Sequence, residues 1–389
     1  MTNCEPRVPK EVPSLVDLAN RAAVLRIFNV NVRWRMLRDI VFDLKMQMAS
    51  WKLPNIAKQR ICDGLTEAFR ELTRWTEKHV QMFPETSTST AVRRRMAGIV
   101  SVHRGEHLRL FYDYLVWQPF GYLIDDLATA KAIAIIGCYN WPLMKFQFAC
   151  CYAMTDLLYN DFIFDKVRRY CFRKQLDDHA VYDFWLTVLD NAKEWKRMFR
   201  EDRIIMDQRV VLVFQFAIVH GYIELVKHIW TKLTQAQEEA IGFLWWKKIC
   251  FSARHRETVH FLCQRLCAIN LNGMARLTWD SFYHKVYLTL QGDEIGSSQE
   301  KENLRQLACL LENFCPQLRM AMLRRENYKV ITDTFLYNRT EAFTLLLEYL
   351  DRSQLSVARE QVDRFYDKRR TQRFTNLRNM VIHRQLTID

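Results

Sequence analysis

Glycine and proline are scarce in this chain, ten and eight in 389 residues, about half the usual share. A strand-rich protein of this length needs many more turn formers, so sheet is excluded as the main architecture and an all-α fold is expected. Long apolar runs are missing too. The longest, Val210 to Val219, is broken by Gln215 and is too short to span a bilayer. The start, Met-Thr-Asn-Cys-Glu-Pro, lacks a signal-peptide core. Glycine-rich phosphate loops, a nucleophile elbow, EF-hand spacing and C-x-x-C pairs are also absent. The expectation is a cytoplasmic protein, with the nucleus as the alternative, that makes no membrane contact, needs no cofactor and has no seat for catalysis.

What the chain does have is an ordinary globular balance, 49% hydrophobic and 26% charged, ample for a sizeable core. The eleven cysteines, without a secretory signal, suit reduced thiols packed as small hydrophobes. His260, Cys263 and Cys267 share a helix face at spacings of three and four, which would suit a soft metal. With no fourth ligand evident, they read as core residues and no metal site is expected. Cys150 and Cys151 read as helix interior. The string His103-Arg-Gly-Glu106-His107 matches the H-x-x-E-H pattern of zinc peptidases. Gly105 weakens the helix that would have to present both histidines, so a polar turn between helices is the preferred reading.

One stretch organises the rest: Phe214-Gln-Phe-Ala217-Ile-Val-His-Gly221-Tyr-Ile-Glu224-Leu-Val226-Lys-His-Ile229-Trp230. Phe214 and Ala217 lie on one helical face, and Ala217 is small enough for close approach. Gly221 supplies the left-handed residue that ends a helix. Glu224 falls in the first turn of the next helix, where a carboxylate is favoured, and Val226 and Ile229 continue the apolar face. The pattern A-x-x-x-G-x-x-E-L-V-K resembles the second half of an ankyrin repeat.

A search for the same spacing gives further hinge candidates at Gly105, Cys138, Arg254 and Asn338. Thirty-three residues separate Gly105 from Cys138 and Gly221 from Arg254, the ankyrin period. The longer steps read as double periods with insertions of about 17 residues, one of them at Gly292 to Asn303. Asn338-Arg-Thr340, formally a glycosylation sequon, reads as a helix cap. The organisation expected is a flexible segment 1–13, an N-terminal helical block 14–83, a hydroxyl-rich linker 84–92, degenerate repeats 93–350 and a basic C-terminal helix or tail 351–389. That is a helix-turn-helix, ankyrin-like solenoid preceded by a helical block. With its content of Trp, Phe and Tyr, this arrangement resembles the divergent ankyrin-like helical proteins expanded in nematodes, a resemblance that implies a scaffold rather than a defined activity.

The N-terminal block carries two weaker echoes. Ser14-Leu15-Val-Asp17-Leu-Ala19-Asn-Arg-Ala-Ala23 resembles the Elongin-binding box of cullin–RING substrate receptors, in which the leucine at Leu15 would enter an adaptor pocket and the small residue at Ala19 would let the helix lie close. Leu53-Pro54, followed by the buried-type stripe Ile61, Leu65, Phe69, Leu72 and Trp75, resembles the start of an F-box. The net charge of +13 is spread along the chain. Its densest clusters are Arg93 to Arg95 and the tail, where Lys368, Arg369, Arg370 and Arg373 could grip phosphates. The expectation is a non-catalytic protein-binding scaffold. A ubiquitin-ligase substrate receptor and a nucleic-acid-binding protein are the alternatives.

Overall fold

The structure is a computed structural model, and it describes residues 13–32, 37–83, 106–176, 179–199, 207–240, 242, 246, 255–290, 298–368 and 371–387. Its described residues are helical almost throughout. They contain no strand, only an isolated antiparallel bridge between Trp117 and Ile124. In chain order the helices are α1 Leu15–Val32, α2 Leu37–Ser50, α3 Asn55–Val80, a 3-10 helix Glu106–Tyr114, α4 Asp126–Ala132, a π-helical turn Ile133–Gly137, α5 Pro142–Cys151, α6 Thr155–Phe162, α7 Lys166–Gln175, α8 Ala180–Asp190 and α9 Ala192–Met198. They continue as α10 Gln208–His220, α11 Ile223–Trp230, α12 Arg256–Leu290, α13 Ser298–Asn313, α14 Pro316–Leu336, α15 Thr340–Leu347, α16 Arg352–Tyr366 and α17 Gln372–Thr387. The chain divides into two compact units, Met1–Trp195 and Lys196–Asp389.

In the N-terminal unit α1 packs on α3. Ser14 caps α1: its hydroxyl accepts from the Asp17 amide at 3.2 Å, and the Asp17 carboxylate accepts from the Ser14 amide at 3.3 Å. These bonds pair donors that would otherwise face water alone at the helix start. Pro54 stands just outside α3, as its N-cap. The stripe Ile61, Leu65, Phe69, Leu72 and Trp75 is buried, and α3, which carries it, packs on α1, where Val24, Phe28 and Val32 are buried, and on the 3-10 helix. Phe28 sits between Phe69, 5.2 Å away, and the edge of Trp117, also 5.2 Å away. Helices α5 to α8 form a second cluster around Phe146, Phe162, Phe172 and Tyr182.

In the C-terminal unit the helices come in pairs. α12 packs on α13, α14 on α15 and α16 on α17. The first helix of each pair also packs on the first of the next, α12 on α14 and α14 on α16. Likewise α13 packs on α15 and α15 on α17. Side chains fasten this layering. Tyr283 of α12 donates to the Asp333 carboxylate of α14 at 2.5 Å, and Phe335 of α14 meets Phe374 of α17 with ring centroids 5.0 Å apart. α12 is broken at Asn270, whose side chain accepts from the Gly273 amide at 2.8 Å and so restarts the helix. Within the segment anticipated as an insertion, residues 298–303 are the first turns of α13.

Candidate functional site

Three helix ends share one local geometry. At Ala153, Gly221 and Asn338 the backbone turns left-handed, with φ of 47°, 73° and 54°. In each case the residue after the turn donates its amide to the carbonyl of the residue five before it, which is four before the turn residue. The bonds are Met154 to Ala149 at 2.9 Å, Tyr222 to Ala217 at 2.8 Å and Arg339 to Thr334 at 3.0 Å. This closure pairs the last carbonyls of the first helix and starts the second at once. Each second helix is eight residues long, α6, α11 and α15. Each carries an acid in its first turn, Asp156, Glu224 and Glu341, where the exposed amides favour negative charge. Each buries the residue five beyond the turn, Leu158, Val226 and Phe343.

The polypeptide then crosses a short loop to another capped helix. Asp165, Thr234 and Asp351 accept from the amide three residues on. At two of them a buried glutamine completes the box, Gln237 bonding back to the Thr234 amide at 3.0 Å and Gln354 to the Asp351 amide at 2.9 Å.

Of the five hinges chosen from the sequence, Gly221 and Asn338 are left-handed turns of this kind. Cys138 is a buried residue closing the π-helical turn, with φ of −101° and its amide bonded to Ile133 at 2.8 Å. The left-handed turn in that region is Ala153. Ala149-x-x-x-Ala153-x-x-Asp156 has the same spacing, with Ala, a poor left-handed former, at the turn. Gly105 and Arg254 lie outside the described residues. So do His103, Arg369 and Arg370, while Glu106 and His107 open a 3-10 helix.

A connected polar group of the N-terminal unit lies at the end of α3. Arg74 pairs with Glu71 at 2.7 Å and with Asp126 at 2.7 Å, and Lys78 reaches the other Asp126 oxygen at 2.5 Å. Burial alone would raise the Asp126 carboxyl, but Lys78 and Arg74 outweigh it and hold it well below the usual carboxylate range. Glu71 also accepts from the Ile124 amide at 2.9 Å. Beside them His79 is fully enclosed, its Nδ1 2.7 Å from the Trp75 carbonyl and its Nε2 2.7 Å from the Tyr152 hydroxyl. Nδ1 faces an oxygen that can only accept, so the proton sits there and Tyr152 donates to Nε2. Every charge in this group has a partner, and the arrangement ties α3 to α4 and α5.

Exposed apolar side chains lie elsewhere in that unit. Ile135, Ile136, Tyr139 and Trp141 stand in water around the turn into α5, with Tyr139 85% exposed. Phe164, Val167 and Tyr170 do so around α7, with Phe164 91% exposed. At the start of α1, Leu15 is 85% exposed and Ala19 is exposed as well. At the C-terminus Lys368 and Arg373 are exposed. Arg378 is engaged with Asp363 at 2.6 Å and Arg384 with the Glu348 carbonyl at 3.2 Å, which fastens α17 to α16 and to the end of α15. Among the described residues, no helix is long and apolar enough to cross a membrane.

No protein-family model, no curated protein and no solved structure matches the chain.

Proposed function

We propose that this chain is a non-catalytic scaffold whose helix pairs stack as an ankyrin-like solenoid and bind a protein partner. The observation that carries the reading is the two-row packing of the C-terminal unit, first helices on first helices and second on second. Stacked pairs of this sort bury one face of each unit against its neighbours and leave the remaining faces for recognition. The recurrence of one hinge at Ala153, Gly221 and Asn338 adds local support. Tyr139, Trp141 and Phe164, held in water beside helix ends, supply the aromatic anchors that protein interfaces favour. The test is crosslinking of tagged full-length protein in its native cell extract, followed by mass spectrometry. A Tyr139→Ser, Trp141→Ser variant with unchanged melting should lose an enriched partner; a partner set identical to wild type argues against this surface.

A substrate-receptor role through an Elongin-type adaptor is the second reading, favoured by the exposure of Leu15 and Ala19 on one end of α1. Co-purification with that adaptor, abolished by Leu15→Ser, is its test. Nucleic-acid binding through Lys368 and Arg373 is the third. It would reveal itself as an affinity that falls steeply with salt and drops when both are changed to alanine.

A further inference from the structure

A third sulfur joins Cys263 and Cys267 from another helix. Cys263 and Cys267 lie one turn apart on α12 with their sulfurs 3.9 Å apart. Cys315, the residue that caps α14, brings its sulfur into the same group, and all three lie within 4.8 Å of one another. His260, which shares the α12 face in sequence, is exposed and 2.8 Å from Gln264 instead. We infer that Cys263, Cys267 and Cys315 form a binding site for one thiophilic d10 metal ion, held by three thiolates.

The geometry fits that chemistry. Metal–thiolate bonds of about 2.3 Å require sulfurs about 4.0 Å apart in a trigonal plane and about 3.8 Å apart on a tetrahedron. Two backbone amides are directed at the sulfurs, Cys315 N–H to Cys263 Sγ at 3.0 Å and Leu318 N–H to Cys315 Sγ at 3.5 Å. Such amides stabilise negative sulfur, and Cys315 sits where the first turn of α14 adds its partial positive charge. Binding replaces three S–H bonds by three metal–sulfur bonds and releases three protons to solvent, with no change of oxidation state. Cys263 and Cys315 are buried while Cys267 is half-buried, which leaves an approach from the surface. Three soft sulfurs suit Cu(I) without further ligands, and Zn(II) with a water in the fourth position. An ion here would staple α12 to the start of α14.

The test uses reduced full-length protein under anaerobic conditions, titrated in separate arms with Cu(I) and with Zn(II) alone, each against a chromophoric chelator. One ion per chain should be retained after desalting in at least one arm, and metal loading should raise the melting temperature. Cys315→Ser and Cys267→Ser should each weaken retention by about tenfold or more, and Cys171→Ser, in the other unit and exposed, should not. Cys267→Ser guards against misfolding because its side chain is the least enclosed of the three, and circular dichroism of the metal-free variants checks it. The inference is overturned if neither ion is retained, or if the folded Cys267→Ser and Cys315→Ser proteins hold it as tightly as wild type.

Discussion

His79 and Tyr152, 73 residues apart in sequence, meet through a 2.7 Å hydrogen bond in the interior of the N-terminal unit. The same imidazole stacks on Trp75 with centroids 4.2 Å apart. Burial, reinforced by the nearby Lys78 and Arg74 and only partly opposed by Asp126, lowers its pKa from 6.5 to about 3. Between those values the unfolded chain takes up a proton that the native state refuses, so stability is complete above 6.5 and falls as the pH drops toward 3. The slope should reach at most about 1.4 kcal/mol per pH unit. His79→Phe should cost about 1–3 kcal/mol at neutral pH by removing the imidazole that bonds the Tyr152 hydroxyl, yet lose less on acidification than wild type does. Urea midpoints at pH 7, 5 and 4 for both proteins check this, and equal losses would refute it.

Asp126 neutralises two cations at once. Asp126→Asn keeps the shape but removes the carboxylate charge that faces both Arg74 and the enclosed Lys78 ammonium, and should destabilise the unit by about 3 kcal/mol. Denaturant melts at constant slope measure it. A change under about 1 kcal/mol would mean that water already solvates these groups.

The hinges respond in opposite directions. At Gly221, φ is 73° and an added Cβ would collide with the His255 ring, so Gly221→Ala should destabilise by about 1–2 kcal/mol. At Ala153, φ of 47° is a strained conformation for a residue with a Cβ. Ala153→Gly should therefore stabilise by up to about 1 kcal/mol. Thermal melts of the two single variants decide it; a loss at Ala153 would show that packing of its methyl outweighs the backbone strain.

Leu15 stands in water and contributes no packing. Leu15→Ser should leave the melting temperature within error, since a surface change of this kind stays within about 0.5 kcal/mol. Any loss of a bound partner in that variant then reports on recognition and not on folding.

Much of the secondary structure was legible because it is written locally. The scarcity of Gly and Pro forbids extensive sheet, the spacing of Ile61, Leu65, Phe69, Leu72 and Trp75 traces one buried face of α3, and Ala217-x-x-x-Gly221-x-x-Glu224 spells out its own turn. The hinge at Ala153 was not legible from residue type. Alanine holds a left-handed turn only because the Ala149 carbonyl and the packed helices on either side over-determine it.

The sequence by itself determined helix, the caps at Ser14 and Gly221 and the acids that follow Gly221 and Asn338, all of which depend on neighbours within four or five residues. Asn338, expected to cap α15 with its side chain, is instead the left-handed turn, and Arg339 stands at the N-cap without a side-chain bond. Only the tertiary structure decided which helices stack in rows, that Asp126 comes to Arg74 and Lys78, and that Cys315 joins Cys263 and Cys267 across 52 residues of chain. Those meetings depend on how apolar faces pack across long loops, and burial rewards many pairings of such faces almost equally until the whole core is assembled.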